Sequence, residues 1–370
     1  MRRIDPPHIM VLLFTMRWRF IIAMRWRSFV IWRFVILRER IIRSASFGPH
    51  PSLDDRALDN RRCRGTQGGS RASRRTAAVL RLCFHLRQEM CVLRALVLCA
   101  DDFGLTDGVS RSILHLARTG RISATSAMTN RPGWKRHAGE LRALDAQVGV
   151  GLHLTLTLGA PLGRVPKLAP HDRLPAFGVL MRRSLLGTLP GDEVREEIER
   201  QLAAFEAHFG RPPDFVDGHQ HVHVLPGVRG PLLRALRDRG QEGRLWLRDP
   251  SDHLPSIARR GVARRKALLV RALASGFGEA ARAAGFAANE GFSGFSAFDP
   301  AVPAERVFAA ALSHLGPRPL VMCHPGHADA ELAALDPVVA TRPQEFAYLA
   351  SDGFAVLLER RGLVLAPAPG

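Results

Sequence analysis

A chain of 370 residues, 46% hydrophobic and 24% charged, has a globular composition and enough length for one barrel-sized domain or two ordinary ones. Its formal charge of +19 is unevenly placed: residues 1–92 hold 19 Arg, no Lys and 6 acidic residues, which leaves only +6 on everything after them. The main body therefore has no charge-based need for a polyanionic partner, and no nucleic acid is expected to bind it. Five cysteines, Cys63, Cys83, Cys91, Cys99 and Cys323, lack any C-x-x-C spacing and read as free thiols of a reducing, cytoplasmic compartment rather than as a disulfide or zinc framework.

From Ile9 to Ile42 the chain is apolar, but Arg17, Arg19, Arg25, Arg27, Arg33, Arg38 and Arg40 leave no window of about 18 uncharged residues for a membrane span. The apolar run Ile9 to Thr15 is too short and poorly flanked for a secretory signal. Two readings of this stretch stay open. One is a basic interfacial helix near Trp18, Trp26 and Trp32 with peripheral contact to an inner membrane. The other is a translated region upstream of a start at Met90. Ser44 to Arg75 is Arg, Ser, Gly and Asp without a hydrophobic period, the composition of a disordered segment. The expected organisation is a basic, largely disordered extension over 1–89 and a catalytic domain over 90–370, with a chain starting at Met90 expected to fold and work unaided.

From Leu93 onward short β-branched runs alternate with helical periods, which predicts β/α units around a parallel sheet. Strands are predicted at Leu96 to Ala100, Ala124 to Met128 and Val148 to Leu156, with a helix from Gly108 to Arg118 after the first. Gly159 to Leu189, rich in Pro, Gly and basic residues, reads as a long functional loop such as a lid. Between Asp192 and Phe209 the positions Val194, Ile198, Leu202, Phe205 and Phe209 recur at helical spacing, with acids in the first turn where the helix dipole favours them. Further strands are predicted at Phe215 to Gly218, Leu245 to Arg248, Leu320 to Cys323 and Phe354 to Leu358. About seven β/α units result, which fits an irregular parallel β/α barrel of the TIM type better than a doubly wound sheet.

Four short motifs carry chemistry. Ala100-Asp101-Asp102-Phe103-Gly104 places two carboxylates directly after an apolar strand, where β/α proteins keep their sites, although in a regular strand the two would point to opposite faces. Gly151-Leu152-His153-Leu154-Thr155 interrupts an apolar strand with a histidine. Asp217-Gly218-His219-Gln220-His221-Val222-His223, if extended, turns three imidazoles to one side, each needing a partner for its desolvated nitrogens. Met322-Cys323-His324-Pro325-Gly326-His327 fixes a histidine at a strand end. Asp and His donors with open positions suit a catalytic divalent ion. Magnesium or zinc is the first expectation, with manganese and cobalt open.

Together and in this order, these motifs resemble the YdjC-like carbohydrate deacetylases, which include chitooligosaccharide deacetylases, from about Leu93 to about Leu358. The resemblance implies one divalent metal ion on Asp102, His153 and His219, with Asp101 as general base and His324 as candidate acid. It also implies an N-acetylated sugar as substrate. Arg248 is expected to support the site residues from behind or to meet a substrate hydroxyl, the alternative being a surface ion pair with Asp249 or another acid, and His221 and His223 are further expected substrate-binding residues. A narrower similarity, in NEGFSGFSAFD at 289–299 and LVMCHPG at 320–326, is to the hopanoid biosynthesis-associated deacetylases. It implies an N-acetylglucosaminyl lipid as substrate, and Phe286, Phe292, Phe295 and Phe298 read either as the lining of a groove for an apolar aglycone or as core packing. A chitooligosaccharide substrate, hydrolysis of another bond such as a phosphoester, and membrane or nucleic-acid binding through the Arg-rich N-terminus are the alternatives, and a homodimer stays open.

Overall fold

The computed structural model describes residues 93–370. What the sequence predicts for residues 1–89, including the interfacial helix, the low-order stretch and the start at Met90, lies outside the described residues.

The first strand, β1 (Arg94–Phe103), is buried on both faces from Leu96 onward, as a strand flanked by neighbours and covered by helices must be. It pairs in parallel with β2 (Ala124–Ala127) on one side and with β8 (Leu320–Cys323) on the other. Beyond β2 follow β3 (Gly149–Leu154), β4 (Phe215–Gly218), β5 (Trp246–Leu247) and β6 (Ala287–Ala288), and beyond β8 lies β7 (Phe292–Ser293). Every pairing in this series is parallel. The order β6-β5-β4-β3-β2-β1-β8-β7 is the cyclic order of a β/α barrel opened between β6 and β7. A ninth strand, β9 (Leu363–Leu365), pairs in parallel with Arg94 to Leu96 at the start of β1.

Helices α1 (Asp107–Arg118), α2 (Pro132–Arg142), α3 (Phe177–Leu185), α4 (Gly191–Phe209) and α5 (Arg229–Asp238) follow the first strands. Then come α6 (Leu254–Arg260), α7 (Arg264–Leu273), α8 (Phe277–Ala283), α9 (Ala304–Ala311), α10 (Ala330–Leu335), α11 (Thr341–Ala350) and α12 (Asp352–Arg360). In α4 the predicted stripe Val194, Ile198, Leu202, Phe205 and Phe209 is the buried face, and Asp192 and Glu193 occupy the first turn. Trp134 of α2 stacks on Phe205 at 5.0 Å between ring centroids, and its indole N–H donates to the Ala204 carbonyl (3.0 Å), which locks α2 to α4. Gln201 of α4 accepts from the Thr155 amide (3.0 Å) and donates to the Thr155 carbonyl (2.7 Å), which fixes the chain as it leaves β3.

Two predicted elements differ, and two short strands have no predicted counterpart. Phe354 to Leu358 lies in α12, not in a strand, with Phe354 buried and Leu357 and Leu358 half-buried at helical spacing. The last strand is β9, a few residues later. The two-residue strands β6 and β7 carry too few residues for a period of two to show, and the stretch 159–189 contains α3 rather than being loop throughout. No helix among the described residues is long and apolar enough to cross a membrane.

Candidate metal centre

The site begins with an irregularity in β1. Ala100 pairs with Thr125 and Phe103 with Ala127, so Asp101 and Asp102 together oppose the single residue Ser126, a β-bulge. Asp102 takes a left-handed backbone (φ 70°), which aspartate tolerates better than most residues. The bulge removes the strict alternation of faces, and both carboxylates line one cavity. Gly104 follows with φ 89°, where a Cβ would stand 2.9 Å from the Trp134 amide nitrogen, so only glycine lets the chain turn there.

His153 arrives from β3 and His219 from the turn after β4. Asp102 Oδ1 lies 3.2 Å from His219 Nδ1 and 3.3 Å from His153 Nε2, and the ligand atoms of the three residues lie within 4.8 Å of one another. The opposite nitrogen of His153, Nδ1, is 2.7 Å from Asp217 Oδ1 and 3.0 Å from Ser126 Oγ. A carboxylate behind an imidazole fixes the ring and raises its basicity toward a metal. Burial alone would strip the proton from His153, but Asp217 and Asp102 outweigh it and push this imidazole up to about 10. Burial likewise opposes the charge on Asp102, yet Arg342, whose Nη2 is 2.6 Å from Oδ2, and the two histidines hold its carboxyl well below the usual carboxylate range. One carboxylate oxygen and two imidazole nitrogens gathered beside an open cavity form a donor set that fits a divalent ion.

Asp101 has a different setting. Both its oxygens accept from Arg248, at 2.7 Å from Nη1 and 2.6 Å from Nη2, and Arg248 Nη2 also lies 2.5 Å from Asp217 Oδ2. Cys99, Asp101 and Asp217 form a second group of potential ligands, but the Arg248 guanidinium already places a cation between the two carboxylates. Arg248 is fully buried and is not on the cavity wall, so it reaches the site through Asp101 rather than standing in a surface pair with Asp249. Asp217, which sequence reasoning passed over, touches both halves: His153 through Oδ1 and Arg248 through Oδ2.

The histidine run is not extended. Residues His219–Val224 form a 3-10 turn in which Gln220 and His221 have φ of 53° and 58°. His219 and His221 still face the cavity, whereas His223 does not. His223 is fully buried, its Nε2–H donates to the Arg248 carbonyl (2.8 Å), and its ring meets the edge of Phe277. The predicted common face for three imidazoles is thus corrected by the turn, and His223 supports Arg248 from behind. His221 sits between Phe292 and Phe295, and burial holds it well below the ordinary imidazole range.

His324 directly follows β8 on the cavity wall, edge-on to Phe298 with ring centroids 5.5 Å apart. Burial pushes this imidazole down to about 4. Its backbone N–H donates to Glu345 Oε2 (2.6 Å), a buried carboxyl that burial pushes up to about 7. Of the four phenylalanines that could line a groove, only Phe298 does so. Phe286, Phe292 and Phe295 are buried in the core, where their neighbours already cover them.

The cavity has a volume of about 450 Å³. Its floor is the cluster of Asp101, Asp102, His153, His219 and His324, and its walls are mainly apolar, with Leu158, Phe177, Leu269, Leu273, Phe298 and Val338 among them. Residues 95–360, which carry every one of these polar groups, match the YdjC-like protein family. The chain belongs to that family. Over 143 residues this YdjC-like protein is 41% identical to the chitooligosaccharide deacetylase of Serratia marcescens, covering 38% of its own length and 55% of that enzyme. The figures are the same for the chitooligosaccharide deacetylase of Yersinia pestis. The chain thus spans about half the length of the curated relatives it matches. Among solved structures, a candidate cellobiose-phosphate cleavage protein of Enterococcus faecalis V583 shares the fold, with a TM-score of 0.56 and 23% identity over 74% of this chain and 97% of that one.

Proposed function

We propose that this YdjC-like protein is a metal-dependent hydrolase that removes the acetyl group from an N-acetylated sugar. The observation that carries the reading is the bulge at Asp101 and Asp102, which puts a three-residue donor set and a separate carboxylate on one cavity floor. Asp102, His153 and His219 would hold the ion, and a divalent ion there supplies Lewis-acid charge beside the acetyl carbonyl. The names of the relatives point the same way.

The remaining roles belong to the chain's own groups. Asp101, fixed by two hydrogen bonds from Arg248, accepts the proton of the attacking water at a free lone pair of one carboxylate oxygen. Negative charge develops on the acetyl carbonyl oxygen as the water oxygen bonds to the carbon, and the proton that Asp101 has accepted is passed by way of His324, whose imidazole burial pushes down to about 4, to the nitrogen of the departing amine as the C–N bond breaks. Apolar walls exclude water and leave these polar groups few competitors.

The finer assignment is an N-acetylglucosamine group on a hopanoid or similar lipid carrier. Supporting it are the apolar walls and the similarity at residues 289–299. In addition, no Trp or Tyr is found among the described residues on the cavity wall, although such rings are the usual stacking platforms for a chitooligosaccharide. Trp134 and Trp246 are core residues. Acetate release from an N-acetylglucosaminyl hopanoid in detergent and from soluble diacetylchitobiose, at matched concentration and metal, tests both levels. The lipid-linked sugar is expected to be preferred. Preference for the disaccharide rejects the aglycone alone, while phosphate release from a sugar phosphate with no acetate from either substrate rejects the deacetylase.

A further inference from the structure

Helix α7 reads RRKALLVRAL and buries only Ala267 and Val270. Between these lie Leu268 and Leu269, 45% and 51% exposed, and Leu254 at the start of α6 is 52% exposed. Single exposed leucines are ordinary, but these are grouped by position. Leu269 and Leu273 form part of the cavity wall above Asp102, while Leu268 and Leu254 line a neighbouring surface depression. The leucines therefore start at the mouth of the candidate active site and run outward from it.

Charge distinguishes the same stretch. From Leu254 to Leu273 there are six basic residues, Arg259, Arg260, Arg264, Arg265, Lys266 and Arg271, and no acidic one. Residues 93–370 carry +6 in all, so outside these twenty positions their charges balance. Arg260 is paired with Asp252, and the other five make no ion pair among the described residues. Helix α3, which supplies Phe177 to the cavity, repeats the combination, with Leu185 and Leu186 61% and 67% exposed beside Arg182 and Arg183.

We propose that α6 and α7 form a docking face for an anionic phospholipid surface, which holds the cavity mouth against the membrane. Leucines at the acyl boundary with Arg and Lys at the phosphates are the interfacial arrangement, and it uses both features of the strip. A polynucleotide would use the cations and leave the leucines in water. The inference goes beyond the deacetylase reading and does not depend on it, because its test uses no acetylated sugar.

The test is co-sedimentation of the full chain with phosphatidylcholine vesicles made with and without phosphatidylglycerol. It compares the unsubstituted protein with Leu268→Ser/Leu269→Ser and Arg264→Gln/Arg265→Gln. The N-terminal arginines are common to all three proteins, so a difference reports on α7. Partition onto the anionic vesicles is expected to fall at least roughly fivefold in the arginine double variant, the factor that one surface cation contributes, and by at least roughly as much in the leucine double variant, which loses two apolar side chains. Vesicles are also expected to slow amide exchange across Leu254 to Leu273 in the unsubstituted protein, a readout that does not require any variant to fold. Equal partition of all three proteins, slowing confined to other residues, or binding to a single-stranded oligonucleotide in place of vesicles would overturn the proposal.

Discussion

The two sides of the cavity are built from different material. Asp101, Asp102, His153 and His219 stand at or just beyond the ends of β1, β3 and β4, each hydrogen-bonded to a strand on both sides, and each residue is backed by a buried ionic partner or joined to one that is. Leu269, Leu273, Phe298 and Val338 come instead from a half-exposed helix and from irregular chain. Phe298 is held with a φ of 54°, a left-handed conformation that a bulky residue rarely adopts. The contrast separates two tasks: the groups proposed to do the chemistry are tied to paired backbone, and the surfaces that would meet the rest of the substrate are free to vary.

Substitutions on the two sides should therefore fail in different ways. The largest effect is expected for Asp101→Asn, which keeps metal content and lowers kcat by about 10² to 10⁴ because a proton acceptor is lost and no ligand is. A wild-type rate in that variant would make Asp101 structural. Asp217→Asn should weaken metal affinity by about 10- to 100-fold, as removal of a carboxylate behind a ligand histidine does, and calorimetric titration with zinc would show it. On the other side, Phe298→Ala should raise KM by roughly tenfold with kcat nearly unchanged, the signature of a wall that binds without taking part in the reaction.

The smallest effect concerns Glu345 and is read in stability. Its carboxyl is raised to about 7 from an ordinary value of 4.5, so the folded protein holds this proton more tightly than the unfolded chain does. The resulting stabilisation is complete below about pH 4.5 and is lost as pH rises through about 7. Glu345→Gln should flatten the stability profile in that window, measured by urea unfolding at a series of pH values.

Much of the strand-built side was legible in the sequence. The apolar runs predict Phe215 to Gly218 and Leu320 to Cys323 at their observed bounds, and the 3.6 period predicts the α4 stripe residue for residue, because both patterns survive without tertiary knowledge. The grouping of Asp102 with His153 and His219 is what the resemblance to the YdjC-like family implies, and the three residues do lie together. What was not legible depends on backbone irregularity or on distant partners. The bulge at Asp102 and the turn at His219 to Val224 break the period of two on which side-chain direction was inferred. Arg342 meets Asp102 across 240 positions and Glu345 meets the His324 amide from the same helix, and nothing local in α11 marks either residue. Asp217 had a signal, an acid inside the otherwise apolar strand β4, but its two partners appear only once β3 and β5 lie beside it.

The central claim, that Asp102, His153 and His219 hold a metal on which sugar deacetylation depends, is tested most directly by titrating zinc or magnesium into chelator-stripped protein while acetate release from an N-acetylated sugar is followed. Activity should rise with bound metal and saturate at one ion per chain, and His153→Ala and His219→Ala should neither retain the ion nor release acetate. Full acetate release by the stripped protein, or normal metal content in both variants, would contradict it.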